Sequence, residues 1–249
     1  MNDTETIRYF DRLAGQWTER YVRSEHFRRR LETVLSWVEH EPPGCSVLDF
    51  GCGSGVMVRA LVERGFSVTG VDGSSGMIAA ARQHLCGAPD RYRLEGLSGD
   101  GYDGAYARRM YHGVLCVAVL EYVRDPNLLL NHMAALTESG GFLILAVPNQ
   151  TSLLRKIELF LHRHPTLQKG AAVLPGLAGS DSYLHLQTQQ FTRSAIDGAL
   201  RNLGFVAEEI RYQVSPAGLR PLENNRGIGM NMMVKYRKCA TAERAVSAR

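Results

Sequence analysis

Cysteine is scarce and scattered in this chain. Its 249 residues include only five, Cys45, Cys52, Cys86, Cys116 and Cys239, and no Cys-x-x-Cys pair. That argues against a disulfide framework or a zinc knuckle and fits a reducing, cytoplasmic setting. No apolar run approaches the roughly 18 residues that span a membrane. The N-terminus is polar and contains acids, which does not suit a secretory signal. Internal repeats and low-complexity segments are missing. An excess of one charge is missing too, since 29 basic against 25 acidic residues leave a net +4. Such a mild surplus permits an acidic substrate or nucleic acid without arguing for either. The composition is that of a globular protein, 45% hydrophobic and 22% charged, long enough for one core with appendages.

The chain is organised around Val47-Leu48-Asp49-Phe50-Gly51-Cys52-Gly53-Ser54-Gly55. An apolar strand leads through an acid into a Gly-x-Gly-x-Gly turn, and a helical pattern (Val56, Met57, Ala60, Leu61, Val62) follows at once. Bare backbone in such a turn lets a cofactor approach the helix N-terminus. A dinucleotide fold would place a third glycine where Val56 stands, which disfavours an NAD enzyme. The second strand, Ser67 to Val71, ends at Asp72. An acid at that strand end, about 20 positions after the glycine turn, accepts the two hydroxyls of an adenosine ribose.

Glycine turn and Asp72 together resemble motif I of the class I S-adenosylmethionine (SAM) methyltransferases. The resemblance implies an α/β fold: a doubly wound, Rossmann-like, seven-stranded sheet, mostly parallel, with an antiparallel C-terminal hairpin. It implies SAM as cofactor and S-adenosylhomocysteine as product. In one methyltransferase domain it places a helical cap over residues 1–44, a SAM-binding core over 45–149 and a substrate lid over 150–190. A C-terminal helix and hairpin over 191–237 and a tail over 238–249 complete the layout. The cofactor contacts it implies are the turn residues Gly51, Cys52, Gly53 and Gly55, with Asp49 reaching the ammonium through backbone or water. Asp72 and Gly73 fall at the ribose and Met77 against the adenine. Leu97 and Ser98 stand where family members often carry an aspartate for the adenine amino group, and Cys116 lies in the fourth strand. Tyr21, with Trp17, is expected over the cofactor, and Arg30 on its carboxylate, which a guanidinium grips bidentately.

The remaining pattern alternates strand and helix. Helices are expected over 4–22, 25–40 and 127–138, the last ended by Ser139-Gly140-Gly141. Tyr92 to Glu95, His112 to Val117 and Phe142 to Val147 read as strands three to five. An amphipathic helix with Leu153, Leu154, Ile157, Phe160 and Leu161 suggests a lid over an apolar or aromatic acceptor. Val206 to Val214 and Met230 to Tyr236 read as final strands. The connection between them, 215–229, is long enough to suggest a role.

Leu120-Glu121-Tyr122-Val123-Arg124-Asp125-Pro126 resembles the "LEHVxDP" segment of ubiquinone-biosynthesis-type O-methyltransferases. The histidine of that pattern is Tyr122 here, and a phenol is a poor base at neutral pH. Among His112, His162, His164 and His185, the candidate base is His185, from its place in a segment resembling "HxxxxxF[ST]". No spacing specifies a metal site. The sequence thus predicts methyl transfer from SAM to a small molecule, at the oxygen of a phenol, hydroxyl or carboxylate in quinone or secondary-metabolite biosynthesis. Alternatives are transfer to nitrogen or carbon, a non-catalytic SAM-binding module, or a nucleic-acid methyltransferase. The last is disfavoured because Val117-Ala118-Val119-Leu120 replaces any base-flipping Asn/Asp-Pro-Pro-Tyr motif. A homodimer remains open.

Overall fold

The computed structural model describes residues 4–88, 90–98, 101–164, 182–214 and 217–240. Two N-terminal helices, α1 (Thr4–Arg23) and α2 (Glu25–Val38), precede the first strand. The sheet contains β1 (Ser46–Phe50), β2 (Ser67–Asp72), β3 (Tyr92–Gly96), β4 (Tyr111–Val117), β5 (Thr137–Pro148), β6 (Phe205–Gln213) and β7 (Asn231–Lys238). Between them lie α3 (Val56–Val62), α4 (Ser75–His84), α5 (Pro126–Leu136), α6 (Leu153–Arg163) and α7 (Arg193–Asn202).

The strands are ordered β3-β2-β1-β4-β5-β7-β6. Strands β1 to β5 are parallel, and β7 runs antiparallel to both of its neighbours, which places β6 at the edge. Alternation along the strands divides the core. Leu48, Phe50, Val114 and Leu143 face α5 and α7, whereas Val47, Leu115 and Ile144 face α2 and α3. The order reverses between β1 and β4. In a doubly wound sheet that reversal opens a crevice at the carboxyl ends of the strands.

Local chemistry fixes the helix starts. Ser74 caps α4 by accepting from the Met77 amide at 3.0 Å, and Asp125 caps α5 by accepting from Leu128 at 3.0 Å, with Pro126 in the first turn. Ser152 caps α6 through the Arg155 amide at 3.2 Å.

The fifth strand departs from the sequence expectation. It starts at Thr137, so Ser139-Gly140-Gly141 lies inside it rather than ending a helix. Tyr111 pairs with Thr137, and the next pair is Gly113 with Phe142, an irregularity that absorbs the glycines. Gly140 has φ +77°, and a Cβ on Gly141 would lie 2.5 Å from the His112 carbonyl. The glycines are needed for a bulge, and a bulge and a helix terminus look alike in sequence.

The connection after β6 anchors α6. Asn149, at the end of β5, donates to the Arg226 and Gly229 carbonyls, each at 2.8 Å. The Leu153 amide donates to Gly227 at 2.7 Å, and the Ser152 hydroxyl to Ile228 at 2.7 Å. Within the expected lid, 150–190, residues 165–181 lie outside the described residues. No helix among the described residues is long and apolar enough to cross a membrane.

Candidate active site

A cleft of about 1080 Å³, counted with its open mouth, lies over the carboxyl ends of β1, β2 and β4. Its floor is the glycine turn. Gly51 adopts φ +79°, and a Cβ there would meet a Val119 methyl at 2.2 Å. Gly53 and Gly55 also have positive φ, and Gly53 faces the Trp17 indole, whose Nε1 would be 3.2 Å from a Cβ. Only glycine combines these backbone angles with such close approach. Ala118, at φ 58°, turns the chain after β4 so that Val117, Ala118 and Val119 complete the floor.

Asp72 closes one end. Its Oδ2 accepts from the Gly53 amide and its Oδ1 from the Ser74 amide, both at 2.8 Å, so the carboxylate ties the two loops together. Burial pushes it up to about 6, against the pull of the two amides. Asp11 of α1 reaches the same corner, accepting from the Ser74 hydroxyl at 2.6 Å and the Gly76 amide at 2.9 Å. This contact pins the cap helix to the start of α4. Beneath the turn, Asp49 is 3% exposed and its Oδ2 has no hydrogen-bond partner among the described residues. Burial, and then repulsion from Asp72, push it up to about 7.

The wall contributed by the cap is aromatic. Phe10 stands edge-on to Trp17 at 5.4 Å and to Tyr122 at 5.5 Å, and Phe27 edge-on to Trp17 at 5.8 Å and to Tyr21 at 5.1 Å. Burial pushes the Tyr21 phenol up to about 12, so it stays protonated. Arg30 is 7% exposed, lies 5.3 Å from the Phe27 ring centre, and makes no ion pair among the described residues. Its Nη2 is 2.8 Å from Nε2 of His26. A guanidinium only donates, so Nε2 accepts and the imidazole is neutral with its proton on Nδ1. Burial, reinforced by Arg30, Arg29 and Arg155, holds His26 well below its usual range.

Of the predicted cofactor residues, Tyr21, Arg30, Gly51, Cys52, Gly53, Asp72 and Met77 line the cleft. Asp49, within β1, and Gly55, which ends the turn against Ala81 and Leu85, are not lining residues. Gly73 is half-buried between two lining residues, Asp72 and Ser74. Leu97, Ser98 and Cys116 are not brought to the cleft. The Leu97 amide donates to the Asp72 carbonyl at 2.9 Å while its side chain packs on the core. Ser98 is exposed, and Cys116 is wholly buried between sheet and helices. His185 is exposed on a 3-10 turn, edge-on to Tyr9 at 6.2 Å, and is not among the lining residues. His112 pairs with Glu41 at 3.0 Å, at the opposite end of β4.

Helix α6, expected as part of a lid, differs from expectation. It turns Arg155 and Glu158 into the cleft and leaves Leu153 and Phe160 exposed. Arg155 binds Glu158 at 2.6 Å and also contacts Gln187 and Gln190. The apolar surface offered to a ligand therefore comes from α1 and α2 rather than α6. Sequence reasoning missed His26, Glu121, Arg155 and Gln187. Only Glu121 carried a signal, its place beside Tyr122.

A ubiquinone biosynthesis O-methyltransferase of Coxiella burnetii is 26% identical over 244 residues, 97% of each chain. One of Thiobacillus denitrificans is 29% identical over 152 residues, 60% of this chain and 65% of that protein. In fold, the chain is similar to the magnesium protoporphyrin IX methyltransferase of Synechocystis PCC 6803, solved with bound S-adenosylhomocysteine. That likeness has a TM-score of 0.68 at 18% identity and covers 95% of this chain and 100% of the other. The methyltransferase domain model matches residues 17–210, and the chain belongs to that family.

Proposed function

We propose that this methyltransferase moves the methyl group of SAM to an oxygen of a small molecule with an aromatic or apolar body. The residues fit the cofactor on three counts. A buried carboxyl with one oxygen unpartnered among the described residues, Asp49, lies below a turn that tolerates no side chain at Gly51, which suits a cationic group. A buried guanidinium that makes no ion pair among the described residues, Arg30, suits a carboxylate, and Asp72 at its strand end suits vicinal hydroxyls. When bound, SAM supplies an electrophilic methyl group on a sulfonium whose departure leaves a neutral thioether.

The chain's own contribution is positioning and exclusion of water. The aromatic wall of Phe10, Trp17 and Tyr122 faces a floor of bare backbone, a shape that holds a flat acceptor over the glycine turn. Alignment of that kind supplies much of the barrier reduction in a displacement with a good leaving group. The aromatic wall is the observation that carries the acceptor class, and the O-methyltransferase names of the relatives at 26–29% identity support oxygen.

The test is methyl transfer from isotopically labelled SAM to three panels: substituted catechols and phenols, aromatic carboxylic acids, and aromatic amines. Label in an O-methyl ether or ester is the expected result. Label only in an N-methyl product would overturn the assignment to oxygen.

A further inference from the structure

An oxygen acceptor that starts as a hydroxyl must lose a proton, and the usual histidine of this segment is Tyr122. The cleft itself limits which group can take it. His26 has its free lone pair occupied by Arg30 and carries its proton on Nδ1. Glu158 is bound to Arg155, and both oxygens of Asp72 accept from backbone amides. Asp49 lies beneath the floor and is not a lining residue.

Glu121 differs from all of these. It lines the cleft, is 3% exposed, and its buried Oε2 has no hydrogen-bond partner among the described residues. Its backbone is held firmly in the 3-10 turn Leu120–Tyr122. The Glu121 carbonyl accepts from the Thr188 amide at 3.0 Å, the Gln189 amide at 3.3 Å and the Thr188 hydroxyl at 3.3 Å. The charged and titratable groups around it are Arg30 from α2, Arg155 from α6, Cys116 from β4 and the adjacent Tyr122. Burial pushes Glu121 up to about 7, and its own amide, Arg30 and Arg155 pull against that. Such a carboxyl is ionised in a useful fraction near neutrality and basic enough to accept a proton.

We propose that Glu121 takes the proton of the acceptor hydroxyl during methyl transfer. The acceptor oxygen uses a lone pair to bond the methyl carbon, and the carbon–sulfur bond breaks with its pair left on sulfur. The O–H proton moves to the Glu121 carboxylate, which becomes a neutral carboxylic acid and later releases the proton to water. This role rests on the oxygen-acceptor reading given above.

Two measurements test it. Infrared difference spectra between acidic and alkaline apo protein should contain carboxyl absorbance that titrates at about pH 7, shared with Asp49, and that is reduced in E121Q and lost only when D49N is added. With a methyl-substituted catechol as probe, wild-type kcat should rise with pH through about 7 and level off. E121Q should lose that limb and about 100-fold in kcat, with S-adenosylhomocysteine affinity changed less than about 3-fold. E121D, which keeps the carboxyl but shortens its reach, should keep the limb at a lower kcat. Equal carboxyl absorbance at about pH 7 in wild type and E121Q, or equal pH profiles in the two, would overturn the role while the oxygen-acceptor reading stands. A wild-type enzyme that methylates nitrogen and no hydroxyl probe would overturn both.

Discussion

Asp49→Asn should make the ligand-free protein more stable and a poorer binder of SAM. Asp49 is a buried carboxyl with one oxygen unpartnered among the described residues and a second carboxylate, Asp72, nearby. Its ordinary value of 3.8 is pushed up to about 7 in the fold. In the unfolded chain the proton leaves near 3.8, whereas the folded protein keeps it to about 7. Between those values the native state binds more protons, so stability falls as pH rises through the window and the loss is complete above it. At about 1.4 kcal/mol per pH unit the window corresponds to about 4 kcal/mol. The asparagine amide, itself buried, returns about 1–3 kcal/mol of that. Net stabilisation of the apo protein at pH 8 should therefore be about 1–3 kcal/mol, and near zero or negative at pH 4. Urea denaturation of wild type and variant at the two pH values measures it, and calorimetry with SAM measures the accompanying loss of affinity. A stability difference independent of pH, or SAM affinity equal in the two proteins, would refute the reasoning.

Two further substitutions bear on the turn and on the far end of the sheet. Gly51→Ala combines φ +79° with a methyl 2.2 Å from Val119, so it should cost about 1–2 kcal/mol of stability and more than tenfold in SAM affinity, read by thermal melting and calorimetry. Glu41, buried at the amino ends of the strands, accepts from Lys235 at 2.7 Å, Arg237 at 2.7 Å and His112 at 3.0 Å. Burial alone would raise its value, but these bonds outweigh it and hold the carboxyl at about 2. A depressed carboxyl stabilises the fold above its unfolded value and loses that contribution as pH falls through the folded one. Glu41→Gln, which leaves the buried Lys235 with the longer Glu208 contact at 3.7 Å and the Trp37 carbonyl, should cost about 3 kcal/mol at pH 7, and the gap should close in denaturation curves taken toward pH 2.

The parts of this molecule that are legible in sequence are those fixed by local chemistry. Val47 to Gly55 announces a strand and a turn because positive φ and close approach at Gly51 admit only glycine. Asp72 is legible because a strand end fixes where its carboxyl points. The start of β5 was not, since Ser139-Gly140-Gly141 suits both a helix terminus and a bulge. Nor was the orientation of α6. Its apolar and polar stripes are clear in sequence, but Ser152, Asn149 and the 226–229 carbonyls set its rotation, and they turn Arg155 inward. Leu97, Ser98 and Cys116 were placed by family register alone. Strand alternation sends Cys116 into the core and leaves its neighbour Val117 at the cleft. His26 and Glu121 gain their character from burial beside Arg30 and Arg155, which no window of sequence displays.

The central claim is that the cleft above Gly51 to Asp72 is built for SAM. The most direct test is calorimetric titration of wild type and Asp72→Ala with SAM and S-adenosylhomocysteine, with NAD as control. Wild type should bind both sulfur ligands at micromolar affinity and NAD far more weakly. The variant, losing charged hydrogen bonds worth about 1.5–3 kcal/mol, should bind both at least tenfold more weakly. Equal affinity in the two proteins, or no binding by wild type, would contradict the account.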